Sequence, residues 1–229
     1  NPTFVTFGSN NASILSSDIY SIDVETPSGT GLEVINVITY GGHATSNTEY
    51  TYDAPCFNRD TLILTADGYK SIQNLTMDDK IMIMDGTTRS IRNITKEYHR
   101  NSQTDIHRCM YKNRKTGLIV TGGHSILVNK LTREEQKNIR NAWTNLRKID
   151  DKYLLVVCFS KDFKPIHDNK IYEIYHLVLE NTDNDNLDKQ YGIYANNVLT
   201  ETMSVAYYEK NCRNLTDGKQ YVGVNIHKI

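Results

Sequence analysis

Cys56 follows Pro55 in "YDAPCFNRDTLILTADGYKSI", and a strand–turn–strand pattern begins directly behind it. A backbone peptide is planar and resonance-stabilised, so it is a poor electrophile. A cysteine just after that peptide holds its sulfur within reach of the preceding carbonyl carbon. Attack there closes a five-membered ring and opens to a thioester, an N-to-S acyl shift. Every X–Cys bond has this reach, so the fold must add more. It must twist the amide out of plane, offer donors to the developing oxyanion and protonate the departing nitrogen.

A second stretch carries groups suited to those tasks. "TGGHSILV" sets Thr121 and His124 three residues apart around Gly122 and Gly123. Such a turn can aim a hydroxyl and an imidazole at one peptide. The glycines let backbone N–H groups approach closely. Histidine is apt because its unperturbed pKa of about 6.5 makes it donor and acceptor near neutrality. A third stretch, "YHLVLEN…YGIYANNVLTET", places His176 at the start of a strand, where it supplies a second acid–base group.

These residues need strands to hold them, and the surrounding sequence reads as strands. "TLILTADGYKSI" gives a hairpin around Asp67-Gly68, and "KIMIMDGTTRSIRNITKEY" repeats the device around Asp85-Gly86. "TGLIVTGGHSILV" is apolar on both sides of its glycines, and "KYLLVVCFS" reads as a buried strand. "IYEIYHLVLEN" and "YGIYANNVLTETM" give two further strands, joined by a polar loop with Asp183, Asp185 and Asp188. That loop could bind a cation through carboxylate oxygens, but it lacks EF-hand spacing, and a solvated loop is the favoured reading. "LTREEQKNIRNAWTNLRKI" is the one clear helix. Thr132 and Glu135 form a capping box, and Leu131, Ile139, Trp143 and Leu146 share a face. Residues 1–53 alternate apolar and polar between Gly and Pro, as an upstream β-rich region does. After Ser204 a short helix and a last strand, "KQYVGVNI", are expected.

Composition narrows the classes. The chain has 229 residues, 38% of them hydrophobic, with a formal net charge of −1. That balance calls for no nucleic acid, and no apolar run reaches the roughly 18 residues of a membrane span. The opening on Asn1, with no Met or leader, reads as a fragment or processed product. The four cysteines, at 56, 109, 158 and 212, include no CxxC pair, so neither a zinc knuckle nor a redox pair is read. Cys109 and Cys158 lie in apolar runs and read as core thiols. No metal and no cofactor is expected. His43, His99, His107, His167 and His227 lack partner spacing and are assigned to surface or structural roles. Sequons at Asn11, Asn74, Asn93 and Asn214 carry little weight in an Asn-rich chain, and the compartment stays undecided.

Three blocks together resemble the Hint (hedgehog/intein) superfamily. "CFNRDTLILTADGYKSIQNLTMDDKIM" is similar to its first block, with Asp60 where the family has the Gly of a Gly-Thr pair and Asp78-Asp79 for its Gly-Asp pair. "LIVTGGHSILV" resembles its Thr-x-x-His block. "YHLVLENTDNDNLDKQYGIYANNVLTET" resembles its last block, with His176 in place of an Asp and Tyr191 in place of a His. The resemblance implies an all-β Hint horseshoe with pseudo-two-fold symmetry and one inserted helix on its outside. It implies residues 1–55 as an upstream flank, 56–203 as the autoprocessing domain and 204–229 as a C-terminal flank. Its catalytic set would be Cys56, Thr121, His124 and His176, acting on the Pro55–Cys56 bond. In that scheme Thr121 and backbone N–H groups hold the peptide, and His124 protonates the leaving nitrogen.

One departure bears on the outcome. Inteins end in His-Asn, and that Asn cyclises to cut the second junction. Here the aligned pair is Glu201-Thr202, and Asn196 and Asn197 come five or more residues early. N-terminal cleavage or acyl transfer without full splicing is therefore expected, in a single turnover by a self-cleaving monomer. Its partners would be its own flank and a water, thiol or amine nucleophile. Sterol transfer is not inferred. The alternatives are an inactive Hint-fold spacer of a surface or virion protein, and a cysteine hydrolase acting on other molecules.

Overall fold

The computed structural model describes residues 2–18, 21–25, 31–52, 55–142, 146–182 and 185–211. The chain divides into two compact units, residues 1–53 and 54–229.

The first unit is made of strands alone. They are β1 (Pro2–Phe7), β2 (Asn10–Asn11), β3 (Ser13–Ser17), β4 (Ile22–Glu25), β5 (Gly31–Thr39) and β6 (Gly42–Tyr52). β2, β1, β5 and β6 pair in that order, and β3 pairs with β4. On β1, Phe4 faces solvent while Val5 and Phe7 are buried. A two-residue turn closes the β5–β6 hairpin, with Thr39 opposite Gly42. The expected β-rich segment is thus present.

The second unit holds β7 (Phe57–Asn58), β8 (Leu62–Thr65), β9 (Gly68–Ser71), β10 (Lys80–Met82), β11 (Thr88–Arg100), β12 (Met110–Asn113), β13 (Ile119–Thr121) and β14 (Ser125–Val128). Helix α1 (Arg133–Ala142) follows, then β15 (Lys148–Ile149), β16 (Lys152–Val156), β17 (Phe163–Pro165), β18 (Ile171–Leu179), β19 (Gly192–Ala195), β20 (Val198–Glu201) and helix α2 (Val205–Asn211). Single 3₁₀ turns occur at Ile72–Asn74 and Val157–Phe159. The fold is all-β, as the sequence suggests. One continuous strand order runs β15-β16-β14-β20-β19-β8-β10-β11-β18-β7-β13-β12-β17, with β9 paired to β8. The core beneath it is aliphatic and aromatic, with Phe57, Ile63, Ile81, Leu118, Leu177, Leu179 and Ile193 all but fully buried.

Turn chemistry sets the registers, and here the structure refines the sequence reading. The first hairpin turns at Ala66-Asp67, because Thr65 pairs with Gly68 and Gly68 opens the return strand. The second closes through Met84, Asp85 and Gly86, with Gly86 at φ +84° as such three-residue loops require. "YGIYANNVLTETM" is a hairpin rather than one strand. Asn196 and Asn197 both adopt positive φ between β19 and β20, the conformation of a type I′ turn. Asp60 also lies at positive φ, 67°, which accounts physically for a glycine preference at that position. Its side chain and its backbone N–H both bond the Gln73 amide.

Helix α1 begins as the capping box requires. The Thr132 N–H donates to Glu135 Oε2 at 2.8 Å, and the Glu135 N–H donates to Thr132 Oγ1 at 3.2 Å. Leu131 and Ile139 are buried on its apolar side, and Leu146 packs against the core. Trp143 and the expected last strand lie outside the described residues, as does Cys212. Asp185 of the polar loop accepts from the Thr182 N–H and hydroxyl and from the Tyr191 hydroxyl. Those bonds hold its carboxyl down at about 2, Thr182 contributing most.

Candidate active site at the Pro55–Cys56 bond

The site follows from strand register. β7 pairs with β13 through Phe57 opposite Val120, and with β18 through Phe57 opposite Tyr175. Both pairings are antiparallel. One residue back along β7, therefore, Cys56 faces Thr121 on one side and His176 on the other. His176 lies within β18, not at its start as the sequence suggests. His124 enters from the tight turn after β13, where its N–H closes on the Thr121 carbonyl at 3.1 Å. Its ring meets the Phe57 ring edge-on, with centroids 4.6 Å apart. The four site residues expected from the sequence converge on one bond.

The closest contacts belong to His176. Its Nδ1 lies 3.0 Å from the Pro55 carbonyl oxygen, and Nδ1 and Nε2 lie 3.5 and 3.7 Å from Cys56 Sγ. Nearly equal distances set the sulfur beside the ring rather than along one N–H. On its far side Nε2 bonds the Glu97 carboxylate. The sequence reading missed Glu97. It sits on β11, where Thr95 is directly opposite His176 and Glu97 is diagonal to it on the same face. A long side chain spans that diagonal. The Glu97 side chain is 46% exposed and that of His176 only 4%, so the carboxylate is the solvent-facing end of the cluster.

The electrostatics are those of a charged ring between two acceptors. Burial works against the His176 imidazolium, but the Cys56 sulfur and the Glu97 carboxylate outweigh it and raise its pKa well above the ordinary value. Burial raises the Glu97 pKa too, yet its bond to His176 prevails and brings it below the usual carboxylate range. Burial pushes the Cys56 thiol up, against the pull of His176 and of the Thr121 hydroxyl. Burial thus favours the neutral thiol at Cys56, while the bond between His176 and Glu97 favours a charged ring beside an ionised carboxylate. Sγ, a Glu97 oxygen and one His176 ring nitrogen lie within 4.8 Å of one another, a spacing that could surround an ion. Here both ring nitrogens already face oxygen acceptors, so the occupant these contacts fit is a proton.

His124 is in the opposite state. It is 0% exposed. Burial lowers its pKa to about 3, although the Cys56 main chain favours its charged form. Neither ring nitrogen, nor Thr121 Oγ1, makes a hydrogen bond of ordinary geometry among the described residues. The Thr121 hydroxyl lies within electrostatic reach of the thiol, and the His124 ring within reach of the Cys56 main chain, but neither is locked there. Orphaned buried polar atoms cost about 1–3 kcal/mol each, and such groups concentrate where chemistry is done.

Two expectations need correction. The glycine amides do not serve the scissile carbonyl. The Gly122 N–H donates to the Cys109 carbonyl and the Gly123 N–H to the His107 carbonyl, each at 2.8 Å. Gly122 is required for another reason: a Cβ there would fall 1.9 Å from the Ile106 carbonyl oxygen. His107 also has a partner after all, with Nδ1 3.6 Å from Cys158 Sγ. The pairing across distant chain segments is invisible in spacing alone.

The end of the unit is built for structure. Glu201 is buried and accepts from the Ser125 N–H at 2.8 Å and from Gln190. Thr202 Oγ1 accepts from the Tyr191 N–H at 3.0 Å. Asn196 Oδ1 accepts from the Leu62 N–H, and Asn197 Oδ1 from the Tyr69 hydroxyl.

No family model matches the chain, and no curated protein does. Among solved structures it is similar to the gp41-1 intein, with 15% identity over 65% of this chain and 98% of that one and a TM-score of 0.36. It is also similar to the MchDnaB-1 intein (12% identity, 64% and 98% covered, TM-score 0.36). A DnaB intein from Synechocystis sp. PCC 6803 gives 14% identity, 65% and 99% covered, and a TM-score of 0.38. At these values the likeness carries nothing about chemistry, which rests on the site's own atoms. No helix among the described residues is long and apolar enough to cross a membrane.

Proposed function

We propose that residues 56–203 form a Hint-type self-processing domain that attacks its own upstream junction at Pro55–Cys56. The observation that carries this reading is the 3.0 Å contact between His176 Nδ1 and the Pro55 carbonyl oxygen, with Cys56 Sγ against the same ring. One ring touches both the nucleophilic sulfur and the carbonyl oxygen of the electrophile, and the electrophile is a bond of the chain itself.

Cys56 Sγ bonds to the Pro55 carbonyl carbon, and negative charge gathers on the carbonyl oxygen facing His176. A charged donor there stabilises the tetrahedral intermediate, the task of an oxyanion hole. The C–N bond then breaks, and the proton that left sulfur ends on the Cys56 nitrogen. Thr121, within reach of the sulfur, and His124, within reach of the Cys56 main chain, sit on one turn and provide the path. His124 is neutral at rest, so it must take up a proton before it gives one. The burial that lowers its pKa to about 3 makes that uptake costly until the amide nitrogen becomes basic in the tetrahedral intermediate. The resulting thioester is resolved by water, a thiol or an amine. Glu201 and Thr202 cannot form a succinimide, so cleavage or transfer stops at one junction.

The test is incubation of the full chain with dithiothreitol, followed by intact mass and N-terminal sequencing. The account expects fragments 1–55 and 56–229, the second beginning at Cys56, and no scission in Cys56→Ala. An intact wild-type chain would favour an inactive spacer. Turnover of an external thioester by protein beginning at Cys56 would favour a hydrolase.

A further inference from the structure

We propose that Glu97 is a positioning residue that holds His176 with a proton on both ring nitrogens, so that Nδ1–H is always donated to the Pro55 carbonyl. The proposal rests on the self-processing reading and assigns a role no sequence block supplies. A carbonyl oxygen only accepts, and an ionised carboxylate only accepts. His176 Nδ1 faces the first and Nε2 faces the second. A neutral imidazole has one N–H and can satisfy one of them, never both. If Glu97 were removed, the buried ring would lose its charge to desolvation. The proton could then settle on Nε2, turning a lone pair toward the oxygen whose charge must be stabilised.

Other groups around the ring do not replace the carboxylate. From β7's leading residue comes the Cys56 thiol, and from the turn after β13 the neutral His124. From β11 come Glu97 and His99, and from the segment before β12 Arg108; the last two add positive charge or none, and both act to keep Glu97 ionised. Burial lowers the His99 pKa, and its Nε2 is bonded to the Arg108 carbonyl at 2.6 Å, so it is not a competing base. Among the described residues, Glu97 is the carboxylate bonded to the His176 ring.

Two measurements test this. The first needs no cleavage: the histidine nitrogens are titrated by NMR in the intact Cys56→Ala chain, with His176 assigned by its loss in His176→Asn. Without the Cys56 sulfur the ring loses one of the groups that favour its charge, and Glu97→Gln is expected to move the His176 titration down by at least about one further pH unit. The second is the cleavage rate against pH. Glu97→Gln is expected to be roughly 10- to 100-fold slow at pH 8, with the deficit shrinking toward pH 6, and Glu97→Asp to recover part of it. A structural role alone would lower the rate evenly at every pH. A His176 titration unmoved by Glu97→Gln overturns the proposal. A chain that never cleaves while His176 titrates as described refutes the acyl shift and leaves the Glu97–His176 assignment standing. A chain that cleaves with an unchanged pH profile in Glu97→Gln refutes the assignment alone.

Discussion

Replacing His124 by leucine should separate stability from chemistry. The ring is fully buried, and among the described residues neither nitrogen makes a hydrogen bond of ordinary geometry, the Cys56 main chain lying within reach but not locked to it. Leucine removes that orphaned polarity and keeps an apolar body against Phe57. At pH 7 the variant should therefore be as stable as its parent, or more stable by up to about 2 kcal/mol. The difference should widen in acid. His124 titrates near 3 in the folded chain against 6.5 when unfolded. Between those values the unfolded chain binds the extra proton, so stability falls as pH falls. At about 1.4 kcal/mol per pH unit, lowering the pH from 7 to 5 should cost the histidine chain about 2 kcal/mol that the leucine chain keeps. Urea unfolding of Cys56→Ala chains, with and without His124→Leu, at both pH values measures this as a double difference. In the Cys56-bearing chain the same substitution should abolish thiol-induced cleavage. A leucine variant less stable by 3 kcal/mol or more at pH 7, with the same acid loss as its parent, would refute the reasoning, because the imidazole would then have a true partner.

Other outcomes follow from the frame of the site. Gly122→Ala should destabilise the chain by about 3 kcal/mol or prevent folding, since its Cβ meets the Ile106 carbonyl and no flexible side chain can yield; urea unfolding would show it. Glu201 is a buried carboxyl whose pKa burial raises. Its contribution is complete below the unfolded value near 4.5 and is lost as pH rises through the folded one. Glu201→Gln keeps an acceptor for the Ser125 N–H, so it should flatten the decline of stability that sets in as pH rises above about 4.5, measurable as melting temperature against pH.

How far the sequence foretold the site depends on how each residue arrives there. Cys56, Thr121, His124 and His176 belong to local blocks, so residue type and spacing could nominate them, and the resemblance of the three blocks to the Hint superfamily joined them into one set. Glu97 reaches the site only through the β11–β18 register, which sets Thr95 opposite His176. Nothing in "TKEYHR" distinguishes that carboxylate from the solvated face of any amphipathic strand. The assignment of proton states was likewise hidden. Sequence names two histidines, His176 with the weaker claim because it stands where the resembled block has an Asp, while burial favours the neutral form of one and the Cys56 sulfur and Glu97 carboxylate favour the charged form of the other. The hairpins were legible because Asp-Gly pairs announce them. The β19–β20 turn was missed, although Asn-Asn between apolar runs is itself a left-handed turn signal.

The central claim is that an acyl group moves from the Cys56 nitrogen to its sulfur. Hydroxylamine attacks thioesters and leaves ordinary peptide bonds, so the direct measurement is the mass of the upstream fragment after hydroxylamine treatment of freshly prepared protein. The account predicts residues 1–55 ending in a Pro55 hydroxamate, and no such product from Cys56→Ala. A wild-type chain that stays whole, or one cut to a free acid equally in Cys56→Ala, would contradict it.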